Sequence, residues 1–208
     1  MTWQVIQAGP ADAAVLSLVI ADAFHDLPPA HWLIADPRAR RKIFPAYFRI
    51  FVDHAMAAGI VHTTTDRTGA ALWLPVSTDG PGRPGDDYDD RLAEVTGPWT
   101  GRFQAFDAEL DRHHPTGTAH HHLAMLAVHP DKQGQGIGTA LLRAHHATLD
   151  QTGTAAYLEA SGSRNRALYL RHGYATPGPF HLPDGGPSMW PMTRSASWAL
   201  PKRHTTRR

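Results

Sequence analysis

The chain has 208 residues, 42% of them hydrophobic and 19% charged, which suits one globular domain with a real core, or a domain plus tails. A net charge of +1 directs no strong field at nucleic acid or an anionic membrane. The absence of cysteine excludes a disulfide scaffold, a thiolate metal site and a cysteine nucleophile.

Trp3 to Ala8 alternates and predicts a first strand. Gly9-Pro10-Ala11-Asp12 breaks it and starts a helix with Val15, Leu18, Val19, Ala23 and Phe24 on one face, stopped by Leu27-Pro28-Pro29. This apolar run has no basic segment before it and carries acids at Asp12, Asp22 and Asp26. It therefore reads as a helix rather than a secretory signal. No stretch approaches the roughly eighteen apolar residues of a membrane span, and a cytoplasmic location is expected.

A second helix is expected from Arg38 to Ala58, with its regular part beginning at Pro45 and its end at Gly59. Ile43, Tyr47, Ile50, Phe51 and His54 recur along it at helical spacing. Ile60 to Thr65 and Gly69 to Val76 read as a hairpin around Asp66-Arg67-Thr68. Residues 77–86 form a Gly/Pro/Asp-rich loop, and Tyr88 to Arg112 is helical with a break at Gly97-Pro98.

His121 to Val128 is a strong strand, followed by a His129-Pro130-Asp131 turn and a helix from Gly138 to about Gln151. Thr154 to Glu159 is another strand, and Arg164 to His172 a short helix ending at Gly173. Tyr174 to Leu182 and Ser188 to Thr193 are the last strand candidates. One layered α+β or α/β domain over residues 1–194 follows from this order, with a basic, flexible tail over 195–208.

The informative segment is Gln133-Gly134-Gln135-Gly136-Ile137-Gly138, between a strand and an apolar helix that opens at Thr139. The first amides of a helix lack intrahelical partners, the helix dipole favours an anion there, and glycines let a phosphate approach the backbone. A Walker loop would need Lys then Ser or Thr after its last glycine, and a dinucleotide loop would need the spacing G-x-G-x-x-G. Neither pattern is present, so a different phosphate ligand or a ligand-free glycine turn remains.

These residues resemble the GCN5-related N-acetyltransferase superfamily. Gln133, Gly136 and Gly138 match its central signature, and Leu126-Ala127-Val128-His129-Pro130 resembles its approach strand. A second block agrees in order: Tyr157-Leu158-Glu159-Ala160-Ser161, Asn165, Leu168-Tyr169 and Gly173-Tyr174. A narrower resemblance is to puromycin N-acetyltransferases and their actinobacterial relatives. It rests on Tyr157 to Ser161, Arg164-Asn165 and Tyr169, on Ala21-Asp22-Ala23-Phe24, and on Pro183, Gly186-Pro187, Trp190 and Met192-Thr193-Arg194.

The resemblance implies an α+β (α/β/α layered) fold. Its mixed, mostly antiparallel sheet has six to seven strands and a splayed parallel pair, flanked by four to five helices. It implies acetyl transfer from acetyl-CoA to a small-molecule amine by direct attack, with an antibiotic such as a puromycin-like aminonucleoside as acceptor. Aminoglycoside or metabolite amines, protein amines and a non-catalytic CoA-binding module are the alternatives. No nucleic acid or membrane partner and no metal is expected, and the assembly is a monomer or homodimer.

By the same resemblance the cofactor lies on the main chain of Leu126, Ala127 and Val128. It also lies on Gln133, Gly134, Gln135, Gly136, Ile137, Gly138 and Thr139, and near Asn165 and Tyr169. Tyr169 is the expected general acid, against a packed core aromatic, and Asn165 competes with a helix-cap reading. Glu159 is the expected base or ammonium anchor, against a surface carboxylate. His121 is the rival base, expected to share one strand face with Leu123, Met125 and Ala127. Phe24, His25, Asp26 and Trp32 are the expected acceptor-lining residues, with core packing the alternative for Phe24 and Trp32. Fifteen histidines are unusual, but pairs such as His113–His114 and His120–His122 lack a standard metal spacing and are expected at the surface.

Overall fold

A computed structural model describes residues 3–82 and 84–196. All but the first two residues of the expected tail, 195–208, lie outside the described residues. The strands are β1 (Val5–Gln7), β2 (Ile60–Thr64), β3 (Gly69–Val76), β4 (His120–Val128), β5 (Ala155–Ala160), β6 (Phe180–His181) and β7 (Ser188–Arg194). They form one sheet in the order β1-β2-β3-β4-β5-β7-β6, antiparallel except for β4 and β5. The helices are α1 (Ala13–Phe24), α2 (Pro28–Leu33), α3 (Pro37–Ala58), α4 (Tyr88–Thr96), α5 (Thr100–His113), α6 (Ile137–Thr152) and α7 (Ser163–Arg171).

Alternation along β3 distributes the core. Ala70 and Leu72 pack with residues of α1 to α5, whereas Ala71 and Trp73 pack with α6 and α7. The α6 face that meets the sheet carries Ile137, Leu141, Leu142, His145 and Leu149 at helical spacing. Gly69 admits this close approach, because a Cβ there would fall 2.6 Å from Ile137 Cγ2. The phosphate-loop end of α6 is thereby seated on the sheet.

Among the described residues there are seven α-helices, where about four to five are expected. The proline pair Pro28-Pro29 reads as a stop, yet proline suits the first turn of a helix, and α2 begins there. Helix α3 starts at Pro37, capped by the Asp36 carboxylate on the Arg38 amide at 2.9 Å, and runs through Pro45. The buried face of α1 is also different from the expected one. Leu16, Ile20 and Ala13 are inside, while Val15 and Leu18 are 41% and 52% exposed. That helix is apolar almost all round, so its periodicity does not single out the face that α3 and β4 cover. Most of the expected Tyr174–Leu182 strand is irregular, interrupted by Pro177 and Gly178; Ala175 makes a single bridge to Thr193, and Phe180–His181 pairs with Ser188 and Met189 of β7.

One irregularity shapes the centre of the sheet. Leu72 pairs with Met125 and Trp73 with Leu123, so Ala124 is an extra residue in β4. Such a bulge bends its strand and reverses which side chains face which side. Parallel pairing of β4 with β5 accordingly covers only His120, His121 and His122 against Ala155, Ala156 and Tyr157. Beyond that point the two strands diverge, while β4 stays paired to β3 through Val128.

Candidate active site

The phosphate loop leaves β4 through a short 3-10 turn at Pro130–Lys132. Gly134 and Gly136 adopt φ values of +78° and +86°, which a Cβ disfavours, and a Cβ at either would meet nothing within 4 Å. The loop backbone therefore borders open space where α6 begins. Side-chain contacts hold it: Gln133 Nε2 donates to Val128 O at 3.2 Å, Trp3 Nε1 donates to Gln135 O at 2.8 Å, and Gln135 Nε2 and Arg164 make longer bonds to Asp131 O and Gln133 Oε1.

A groove of about 490 Å³ runs from this loop along the splayed strands, lined by Leu126, Val128, Gly134, Gly136, Ile137, Gly138 and Thr139. Lys132, Arg164 and Arg171 add positive charge, and no carboxylate lines the groove among the described residues. Helix-terminal amides, open glycines and three cations fit a pyrophosphate-bearing ligand. The Ala127 side chain belongs to the core on the other side of the sheet, and the Gln135 carbonyl is engaged by Trp3, so neither of these two expected contacts lines the groove.

The groove opens into a second, apolar chamber of about 170 Å³. Phe24, Leu27, Leu126, Ser161, Asn165 and Tyr169 line both spaces and mark their junction. Asn165 Nδ2 donates to Ser161 Oγ at 2.9 Å; it lies inside α7 and is not its cap, a place held by Gly162. Tyr169 packs edge-on against Tyr174, and its hydroxyl makes no hydrogen bond among the described residues. Burial pushes this phenol well above its ordinary pKa, so it keeps its proton through the neutral range.

His122 and Glu159 close the far end of the chamber. His122 is the last β4 residue paired to β5, and Glu159 follows two residues after its partner Tyr157. Their side chains meet with His122 Nε2 at 3.1 Å from Glu159 Oε2. His114, at the end of α5, places Nδ1 3.7 Å from Glu159 Oε1. Burial by itself would raise the Glu159 pKa, but the rings of His122 and His114 outweigh it and hold the carboxyl at about 2. Glu159 is thus a buried anion that orients His122 rather than a surface carboxylate.

The bulge sends the rival histidine elsewhere. His121 shares the α6 side with Leu123, whereas Met125 and Ala127 lie on the other side, against the expected common face. Its Nδ1 lies 2.9 Å from His145 Nε2, away from the chamber. Of the expected acceptor residues only Phe24 lines the chamber. His25 bonds Asp26 at 2.8 Å, and Asp26 is at the surface. Trp32 donates to Pro183 O at 3.1 Å and lies under the Arg102 guanidinium. The expectation of surface histidines also fails, since His114, His120, His145 and His146 are all buried.

The chamber wall comes instead from Phe44, Tyr47, Phe48 and Phe51 of α3 and Phe106 of α5. The i, i+3, i+4, i+7 spacing of the α3 aromatics is legible in the sequence, but it reads equally as core. His122 was passed over for its neighbour because alternation alone carries no sign of a bulge.

Residues 101–176 match the acetyltransferase (GNAT) domain family, a span that includes both the phosphate loop and α7. Among solved structures, the chain is similar to the histone acetyltransferase HPA2 and related acetyltransferase of Corynebacterium glutamicum. The two are 25% identical, with 97% of this chain and 99% of that one covered and a TM-score of 0.71. The fold is that of the GNAT acetyltransferases. Arylalkylamine N-acetyltransferase 2 from Aedes aegypti shares it at 12% identity, covering 93% of this chain and 98% of that one, with a TM-score of 0.61. The ribosomal-protein-S18-alanine N-acetyltransferase of Escherichia coli does so at 17% identity, covering 96% and 97%, with a TM-score of 0.52. In this chain the chamber at the end of the groove is built by α3, α5 and the bulged β4. No helix among the described residues is long and apolar enough to cross a membrane.

Proposed function

We propose that this chain transfers the acetyl group of acetyl-CoA to the amine of a small, largely apolar molecule, with residues 3–194 acting as one catalytic unit. The observation that carries this reading is the junction of the two spaces. A cationic, glycine-lined groove meets an aromatic chamber at Tyr169, and the chamber ends on His122 and Glu159.

Acetyl-CoA supplies the activated thioester. The loop amides from Gly134 to Thr139, with Lys132, Arg164 and Arg171, hold its phosphates. The edge of β4 that β5 leaves beyond His122 offers main-chain groups of Leu126 and Val128 to an extended arm. His122 donates Nε2–H to Glu159, which leaves the Nδ1 lone pair to take the proton an attacking amine gives up. Tyr169, protonated and at the junction, can return a proton to the departing thiolate.

The aromatic wall supports an amine carried near a ring or apolar body, as in a puromycin-like aminonucleoside, over an aminoglycoside. A polyhydroxylated polycation would leave most of its polar groups unpaired against Phe24, Phe44, Phe48 and Phe106. The test is thiol release from acetyl-CoA in the presence of arylalkyl amines, an aminonucleoside, polyamines and aminoglycosides. Turnover confined to the amines with an apolar body is expected. Absence of acetyl-CoA binding in calorimetry would reject the reading altogether.

A further inference from the structure

The hydrogen bonds around Glu159 leave an unresolved charge account. Thr118 O can only accept, so His120 Nδ1, 2.8 Å away, carries the proton of that ring. His120 Nε2 is then a lone pair, and His114 Nε2, 3.0 Å away, must donate to it. In neutral His114 this leaves Nδ1 as a bare lone pair pointing at Glu159 Oε1. That oxygen is buried, belongs to a side chain only 6% exposed, and has no hydrogen-bond partner. With His114 neutral, two buried acceptors would face each other at 3.7 Å, so a proton on His114 Nδ1 or a metal ion belongs between them.

We propose that His114, His122 and Glu159 form a binding site for a divalent transition-metal ion of the zinc class. One ring nitrogen from each histidine and a carboxylate oxygen lie within 4.8 Å of one another, brought together from α5, β4 and β5. Metal–ligand bonds of about 2.0–2.2 Å in a tetrahedron set neighbouring donors roughly 3.4 Å apart. His122 Nε2 and His114 Nδ1 lie 3.1 and 3.7 Å from opposite oxygens of the Glu159 carboxylate, Oε2 and Oε1, separations on the scale of that edge. The longer one exceeds the roughly 2.7–3.2 Å of an N–H···O bond, so a shared proton fits it less well than a metal.

The donor atoms lie within 4.8 Å of one another, wider than a tetrahedral edge, so binding requires a side chain to turn, and His122, 15% exposed beside the chamber, is the ring with room to do so. The chain from Thr118 O through His120 to His114 is the outer support that fixes a ligating histidine in its metal-binding tautomer. Two imidazoles and one carboxylate select Zn²⁺ or Co²⁺ over Mg²⁺ or Ca²⁺, which prefer oxygen donors. The fourth position faces the void between α5 and the loop around Pro81, where water has access. An ion there occupies the His122 ring that acetyl transfer needs, so the loaded protein is the inactive form.

The test titrates Co²⁺ into the full chain after EDTA treatment and desalting, and needs no acetyl transfer to be read. One tight equivalent per chain, with visible absorption of tetrahedral type displaced by Zn²⁺, is expected. His114→Ala and Glu159→Gln, each checked for folding by circular dichroism, should weaken that equivalent by more than about tenfold. His121→Ala, on the other face of the sheet, should keep it. Equal binding by wild type and both folded ligand variants, or no tight equivalent in wild type, would overturn the proposal. If the ligand variants do not fold, His120→Phe provides the same comparison through the loss of the acceptor that orients His114.

Discussion

The His145 ring lies flat on the Trp73 indole, with centroids 4.2 Å apart and 17° between planes. Both side chains are fully buried between α6 and the sheet. His145 also bridges His62 at 3.2 Å and His121 at 2.9 Å, so three imidazoles share one hydrogen-bonded row.

Acid sensitivity follows from this row. Burial, with His121 and His62 alongside, lowers the His145 pKa to about 3. Burial, with Arg194, His172 and His145 nearby, lowers that of His146 to about 3. In the unfolded chain both return to about 6.5. Between those values the unfolded state binds more protons, so stability is full above about pH 6.5 and is lost as pH falls toward 3. Each group contributes a slope of up to about 1.4 kcal/mol per pH unit. Urea unfolding at pH 7.5, 6 and 5 should show this decline, and His145→Gln should flatten it. A stability independent of pH across that range would contradict the burial of these rings.

The loop assignment predicts a binding defect larger than the local strain that a side chain meets at this glycine. Gly136→Glu places bulk and negative charge where the backbone borders open space at φ +86°. Acetyl-CoA affinity should fall by more than about 100-fold, since the substitution opposes both the dipole and the cations of the groove. Calorimetry with acetyl-CoA measures it, and normal affinity would remove the loop from the site.

Removing the Tyr169 hydroxyl should separate chemistry from binding. Tyr169→Phe keeps the packing against Tyr174 and deletes only the group at the junction. Turnover should fall by about 10²–10⁴-fold with acetyl-CoA affinity nearly unchanged. Unaltered turnover would leave Tyr169 as a packing residue.

The orienting pair gives a second kinetic contrast. His122→Gln should lower kcat by about 10²-fold or more, and Glu159→Gln should lower it as well by releasing the ring that the carboxylate holds at 3.1 Å. His121→Gln should leave kcat within about twofold, because that ring lies on the α6 side. A larger loss in His121→Gln than in His122→Gln would reverse the assignment.

Much of the frame was legible before any coordinates. The β2–β3 hairpin, the β4–loop–α6 run and the break between α4 and α5 depend on turn residues, glycine spacing and apolar runs within a few residues of one another. Helix α2 and the α1 face were less so, because a proline pair starts helices as well as stopping them and an all-round apolar helix carries no directional signal. The acceptor side was least legible. One extra residue, Ala124, decides that His122 rather than His121 faces the chamber, and a bulge is set by strand pairing rather than by composition.

The phosphate loop and its following helix were determined by the sequence alone. The anion binding proposed there would use backbone amides, positive φ at Gly134 and Gly136 and a helix terminus, all of which are short-range properties. Tertiary structure alone decided the meeting of His114, His122 and Glu159, which come from three elements and up to 45 positions apart. Burial is what gives that meeting its chemistry: away from water, a carboxylate beside two imidazole rings is held ionised, while its Oε1 is left without a hydrogen-bond partner.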